Sequence, residues 1–347
     1  MTTNIAIVGY GNIGRGVHRA IDRNAELYGD VALSGIISRR PLDVAQELMN
    51  NGHPNGAVPV INANSYEGRT LANYDEAEDI DVAILCGGSK KDLPEQGPNF
   101  VQYFNTVDSF DTHAKLPEYF AKMDEVARDS GTVSVISTGW DPGTFSLERV
   151  LGDAFIPGVK PYGFYGLGEK GGLSMGHSDA IRKIKVVRDA RQYTHALPEA
   201  IERVRRGENP NLFPGDMHWR ECVVVAEEEA DEKRIENEIK DMPNYFEPYK
   251  TTVEFVSQEE LDEKHSEMFH DGLVIARGET GDGNMAMIEY KNQWASNPEA
   301  TANILIAHAR AAHRLSQEGR VGAFTILDIP AAYLSPRSRE ELLENFM

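Results

Sequence analysis

The chain has 347 residues, enough for about two domains at about 100–200 residues each. Its 35 Lys and Arg against 55 Asp and Glu leave a formal charge of −20, which speaks against a nucleic-acid or anionic-membrane partner, and 41% apolar with 26% charged residues is the balance of a folded globular protein. Two cysteines, Cys86 and Cys222, form no disulfide framework or zinc spacing and read as reduced core thiols; with no leader-like N-terminus and no apolar stretch of roughly 18–20 residues, a cytoplasmic location is expected.

Asn4 to Val8 is a short apolar run ending in glycine, as a buried parallel strand should. A helical pattern follows, with Ile13, Val17, Ala20 and Ile21 on one face, and then a second strand at Val31 to Ile37. Val82 to Leu85 is a third clear strand. A helical segment opened by Pro94 and Pro98 leads to Thr106-Val107. Leu116, Tyr119, Phe120, Met123 and Val126 keep helical spacing, and Val133 to Ile136 is strand-like. Strands separated by helices predict an α/β, Rossmann-like doubly wound parallel sheet over residues 1–145. The texture changes near Gly139. Residues 162–176 are glycine-rich, and 227–241 read as a solvated helix face with Arg234 and Glu238 paired one turn apart. Strand-like runs at Glu221 to Ala226, Thr251 to Val256, Leu273 to Arg277 and Met285 to Tyr290, the last two joined by a turn at 281–284, predict a second, α+β domain at 146–298 with a mixed or antiparallel, mostly antiparallel, sheet. Residues 299–315 read as a long amphipathic helix and Ala323 to Leu327 as a strand, so 299–347 is expected to complete the first domain.

Gly9-Tyr10-Gly11-Asn12-Ile13-Gly14 is a GxGxxG between a strand and a helix, the context in which that motif binds a dinucleotide. Its glycines allow the tight turn, close approach of the pyrophosphate and helix–strand packing, and the helix N-terminus offers N–H donors to phosphate. The second strand ends in Ser38-Arg39-Arg40 where NAD proteins place a carboxylate. Two guanidiniums and a hydroxyl suit a 2′-phosphate, so the expected cofactor is NADP. Cys86, Gly87, Gly88 and Ser89 would let the backbone pass close to it, with a purely structural turn as the alternative; Asp108, Ser109 and Phe110, at the next strand end, complete the cofactor set. Asp108-Ser109-Phe110-Asp111 and Thr138-Gly139-Trp140-Asp141-Pro142-Gly143 both fall where strands should end. Asp111 and Asp141 could there hold an amine or assist proton transfer, or simply cap helices. No metal is expected; a set of Asp108, Asp111 and His113 is conceivable but disfavoured.

Across nearly its whole length the sequence resembles meso-diaminopimelate dehydrogenases. The carriers are AIVGYGNIGRGV, ISRR, LPEQGP, TVDSFDTH, STGWDPGTFS, LSMGHSDAIR, RIENEIKDMPNYF, AAHR and GAFTILDIP. The resemblance implies NADP-dependent, reversible oxidative deamination of meso-diaminopimelate at its D-centre, with ammonia as the other product, in the service of lysine and peptidoglycan synthesis. It implies that Asp111, Trp140 and Asp141 surround the D-configured α-carbon, with Asp111 and Asp141 as the catalytic pair. Phe164 and the loop leading to Ser174, Met175 and Gly176 would adjoin it, and Thr194, Arg220, His270 and Asn297 would hold the L-configured end. It also implies a homodimer through the second domain. Residues 166–172 and 40–75 look longer than the family pattern; the first of these adjoins the D-centre, which opens the alternative of a broader D-amino acid dehydrogenase. A non-catalytic NADP(H) sensor is the rival of a different class. It would not need the polar set around Arg220.

Overall fold

The computed structural model describes residues 2–23, 28–53, 58–63 and 80–347. Among them the chain divides into two compact units, Met1–Leu147 with Pro298–Met347, and Glu148–Asn297. No helix of the described residues is long and apolar enough to cross a membrane.

The first unit is built on seven parallel strands: β1 (Thr3–Val8), β2 (Val31–Ser38), β3 (Val60–Asn62), β4 (Val82–Leu85), β5 (Asn105–Asp108), β6 (Val133–Val135) and, from the far end of the chain, a strand at Gly322–Phe324. Their order in space is β3-β2-β1-β4-β5-β6 followed by the Gly322–Phe324 strand, the doubly wound arrangement. All four residues of β4 are buried. That explains why this strand reads as an unbroken apolar run and not as an alternating one. The connecting helices are α1 (Asn12–Arg23), α2 (Pro41–Asn50), α3 (Leu93–Phe100), α4 (Leu116–Ser130) and α5 (Thr144–Phe155), the last running into the second unit. One face of the sheet is covered by a cluster containing Val17, Leu305 and Ile306, the other by one containing Leu93, Met123 and Ala127. The expected strand at Ala323 to Leu327 is shorter, because Thr325 caps a 3-10 turn at Ile326–Asp328.

The second unit holds strands β7 (Tyr162–Tyr165), β8 (Gly172–Leu173), β9 (Val187–Ala196), β10 (His218–Ala226), β11 (Lys250–Phe255), β12 (His270–Gly281) and β13 (Asn284–Trp294), leaving Gly322–Phe324 as β14. They form two sheets, β11-β10-β9-β8 and β13-β12-β7. The sheet is mixed and not wholly antiparallel: β10 and β11 pair in parallel, since α9 (Glu232–Lys240) carries the chain back between them. Its helices are otherwise α6 (Met175–Ile181), α7 (Pro198–Arg205), α8 (Pro214–Met217) and α10 (Gln258–Lys264). On α9 the Arg234–Glu238 pair closes at 2.9 Å, as its spacing requires. The turn between β12 and β13 has positive φ at Asp282 and Gly283, the type I′ geometry that suits a two-residue hairpin. The expected amphipathic helix at 299–315 is α11 (Asn297–Gln317). It is buried on most of its circumference, with Thr301, Arg310 and His313 as well as its apolar residues out of solvent.

Candidate functional site

Strand order reverses between β1 and β4, and the carboxyl ends of those two strands carry Gly9 and Cys86-Gly87-Gly88. Open α/β sheets bind their ligands at such a switch point. Gly9 has φ of +94° and packs against the Cys86 carbonyl. A Cβ on Gly14 would lie 2.2 Å from the Gly9 carbonyl oxygen, so the third glycine is required by packing alone. Above Gly11 there is open space, as a cradle for a pyrophosphate needs. The turn therefore fits a dinucleotide. The side chain of Tyr10 is not part of that cradle: it is buried and its hydroxyl meets His18 Nδ1 at 2.7 Å. Ser38 is buried, and its Oγ accepts from the Arg40 N–H at 3.0 Å. Arg39 and Arg40 are exposed beyond it. Arg39 leans on Asp92 at 3.0 Å, whereas the ion pair of Arg40 among the described residues is a longer one, to Asp43 at 3.9 Å. Asp92 also accepts from the Gly88 N–H. The Cys86 thiol is pushed up to about 12 by burial, as is that of Cys222, and both are free.

The first carboxylate cluster divides its labour. Asp108 ends β5 with no exposed surface, and its carboxylate accepts from the Phe110 and Ser137 N–H groups and from the Tyr119 hydroxyl at 2.7–3.0 Å. Burial holds its pKa above the usual carboxylate range despite those bonds. Asp108 is thus a fastener between strand ends, and only its backbone is left for a ligand; it could serve no metal with Asp111 and His113. Phe110 is buried and stacks on Tyr119 at 4.1 Å. Ser89 Oγ accepts from the Asp111 N–H at 2.8 Å, tying the two loops together. The Asp111 carboxylate is exposed and caps nothing; the 3-10 turn that follows begins at Thr112 without a side-chain cap. In the second cluster, the Ser146 hydroxyl donates to Asp141, and Trp140 is buried against Phe145. A Cβ on Gly143 would lie 1.7 Å from the Gly139 carbonyl oxygen, and its φ is +145°, so this loop can close only on glycine.

In the second unit a chain of backbone bonds gathers the remaining residues. Asn297 N–H donates to Met268, Leu173 N–H to Phe269, Gly172 pairs with Thr194, and Thr194 stands directly opposite Arg220. The His270 ring lies over Gly172, where a Cβ would come within 2.7 Å of it. Ser174 N–H donates to the Gln192 carbonyl and opens α6, leaving Met175 and Gly176 exposed. Arg220 is 7% exposed. Its guanidinium donates to Thr194 Oγ1 and lies 4.1 Å from the centre of the Tyr249 ring. Its Nε has no hydrogen-bond partner, and no ion pair to it exists among the described residues. The titratable groups facing it are Tyr249, whose side chain also hydrogen-bonds it, Cys222 and Tyr165, together with His177 and His218, which are each lowered to about 3, by burial first and by Arg220 second. A buried cation is costly unless an anion joins it.

Phe164 falls outside this set. It has no exposed surface and packs with Leu273 and Ile275 in the core, so it supports the site only from beneath. Three residues were not singled out by the motifs: Tyr249, His177 and Gln192, the last wholly buried with an unpartnered Oε1. Strand alternation could have found Gln192, since it lies two residues from Thr194 and so on the same face of β9. Residues 166–172 form a pinned loop. Gly166 N–H donates to the Asp271 carbonyl, Leu167 N–H to its carboxylate, and Lys170 pairs with Glu267. Residues 40–75 lie partly outside the described residues.

A doubly wound sheet with this glycine turn, joined to an α+β unit that carries a buried polar cluster around Arg220, defines a Rossmann-type dehydrogenase. Residues 139–296 match the diaminopimelic acid dehydrogenase C-terminal domain. The meso-diaminopimelate D-dehydrogenase of Lysinibacillus sphaericus is 49% identical over 343 residues, covering 99% of this chain and 98% of that protein. The Corynebacterium glutamicum enzyme in complex with DAP is 40% identical with a TM-score of 0.87, and an engineered D-amino acid dehydrogenase bound to NADP+ is 38% identical with a TM-score of 0.83, each covered in full by this chain and covering it in full. The chain belongs to the meso-diaminopimelate D-dehydrogenase family.

Proposed function

We propose that this protein is a homodimeric, NADP-dependent dehydrogenase that deaminates meso-2,6-diaminopimelate reversibly at its D-centre, giving ammonia and L-2-amino-6-oxopimelate, which cyclises to tetrahydrodipicolinate. The observation that carries the reading is Arg220: a buried guanidinium with an orphaned Nε, among neutral histidines, calls for an anionic ligand. The substrate's distal carboxylate is that ligand, gripped bidentately. Thr194, His270 and Asn297 add the polar contacts that identify the L-configured end. A ligand that is reversed or truncated leaves these groups unpaired, which is how two similar stereocentres are told apart.

The cofactor would be held by residues Gly9 to Gly14, by Ser38, Arg39 and Arg40 at its 2′-phosphate, and by the 86–89 and 108–110 backbone. When bound, NADP+ supplies the hydride acceptor. Of the residues around the reacting carbon, Trp140 packs against it, and one carboxylate, Asp111 or Asp141, takes up the proton that the ammonium loses before hydride leaves; water then adds to the imine carbon and ammonia departs. Because the 166–172 loop is pinned to Asp271, it favours strict selectivity over the broader D-amino acid activity that its length allows. The test is NADP+ reduction with the meso, LL and DD isomers. Reduction with meso-diaminopimelate and none with the LL isomer is expected. Activity on the LL isomer, or none on the meso compound, would overturn the reading.

A further inference from the structure

Three side chains of the first unit, none of them assigned above, converge beside Tyr10. His18 and Asp22 stand one turn apart on α1, and His53 follows the end of α2. Nε2 of His18 and Nε2 of His53 each lie 3.4 Å from the same oxygen, Asp22 Oδ2, and all three atoms fall within 4.8 Å of one another. A charge-assisted N–H···O bond closes to about 2.7–2.9 Å, so 3.4 Å is long for one. Ligands at about 2.0–2.1 Å from a tetrahedral ion stand about 3.3–3.4 Å apart. Two of the three separations already match that figure. The third, between the two imidazoles, is at most 4.8 Å, with ring centres 4.8 Å apart.

A second observation points the same way. His18 is 2% exposed, and its Nε2 is buried with no hydrogen-bond partner. Its other ring nitrogen is occupied at 2.7 Å by the Tyr10 hydroxyl, the kind of support that fixes ring orientation and tautomer behind a metal ligand. The nearby guanidiniums are engaged elsewhere, Arg15 with Glu47 and Arg19 with Glu299.

We propose that His18, Asp22 and His53 form a binding site for a first-row divalent cation, Zn2+ above all, with solvent as the fourth ligand. Two imidazoles and one carboxylate suit such an ion and not Mg2+ or Ca2+, which take oxygen ligands. The ion fastens α1 to the segment after α2 and, through Tyr10, reaches the glycine turn.

The experiment is titration of the metal-stripped full chain with Zn2+ by calorimetry and with Co2+ by visible absorption, for the wild type, His53→Ala, Asp22→Asn and Tyr10→Phe. His53→Ala and Asp22→Asn alter side chains that reach solvent, so they test the site without emptying the core. One Zn2+ per chain is expected, with the strong absorption of four-coordinate Co2+. Loss of a direct ligand should weaken binding by about 100-fold or more, beyond the 10–100-fold typical of supporting residues, and Tyr10→Phe by about 10-fold. Equal Zn2+ binding in the wild type and both ligand variants, or weak six-coordinate Co2+ absorption only, would overturn the proposal, as would no binding at all.

Discussion

Replacing Arg220 by Met removes the charge and keeps much of the side-chain volume. In the free protein, burial of the guanidinium costs several kcal/mol. Against this stand about 2 kcal/mol from the desolvated contact with the Tyr249 ring and about 1.5–3 kcal/mol from the bond to Thr194. The two sides nearly cancel, so the stability of Arg220→Met should stay within about 1 kcal/mol of the wild type. Substrate binding has no such compensation. A bidentate grip comprises two charge-assisted hydrogen bonds of about 1.5–3 kcal/mol each, or about 3–6 kcal/mol together. At 1.4 kcal/mol per factor of ten, kcat/KM for meso-diaminopimelate should fall by about 10²–10⁴. The assays are initial rates of NADP+ reduction and urea denaturation of the apo protein. The opposite pattern, a loss of about 3–5 kcal/mol of stability with kcat/KM unchanged, would make Arg220 a structural cation and remove the carboxylate grip from the argument.

Changing Arg39 and Arg40 together to alanine should raise KM for NADPH by about 10–100-fold and leave KM for NADH nearly unchanged, because the loss is one or two charged hydrogen bonds to a group that NADH lacks; equal rises for both cofactors would refute the 2′-phosphate assignment. Asp108→Ala leaves three buried donors without an acceptor and should cost about 3 kcal/mol or more in urea denaturation, whereas Asp108→Asn keeps acceptors and removes a buried charge, so it should be much milder; similar losses in both would refute the fastener role. His218 and His308 are lowered to about 3 and about 4 by burial. Unfolded histidine titrates near 6.5, so the stability these residues contribute is fully present above that pH and lost as pH falls below it, by about 1.4 kcal/mol per unit for each until the folded pKa is reached. The loss between pH 7 and pH 5 should therefore be about 2 kcal/mol smaller in His308→Gln than in the wild type, and equal losses would refute the buried neutral ring.

The first unit was legible because its signals are local. An apolar run that ends in glycine and opens a helix defines β1, the turn and α1 within the span Thr3–Arg23. The second unit is assembled by pairings that no local pattern reveals. Arg220 reads as a surface residue of a strand until the β9 register sets Thr194 opposite it and Tyr249 covers it. The parallel pairing of β10 with β11 was hidden for the same reason: direction depends on where α9 returns the chain, not on the residues of either strand. Asp108 shows the converse error. A carboxylate at a strand end reads as chemistry, yet three donors from 110, 119 and 137 make it structural, and only tertiary contacts distinguish the two. Phe164 was placed at the ligand by resemblance. The β7–β12 pairing turns its ring into the core.

The charge of −20 poses a problem that the residue placement answers. NADP and the substrate's carboxylates are anionic, and a strongly acidic surface opposes their approach. That field fades over about 8–10 Å at moderate ionic strength, so it governs encounter more than the bound state. Within the bound state a few cations at short range decide, and on the proposed assignment the two arginine sites differ as their tasks would. Arg39 and Arg40 are exposed, beside Asp92 and Asp43, where a 2′-phosphate can displace weak surface pairs at little cost. Arg220 is buried and, among the described residues, paired with no carboxylate, with Tyr249 supplying a neutral platform. A carboxylate partner inside the protein would have lowered the cost of burying Arg220. It would also have occupied the guanidinium face that, on the proposed assignment, a substrate carboxylate would reach. Leaving that face to a π system and a hydroxyl keeps the cation tolerable without satisfying it, and a strongly acidic chain can in this way retain an anion site that its own acids do not fill.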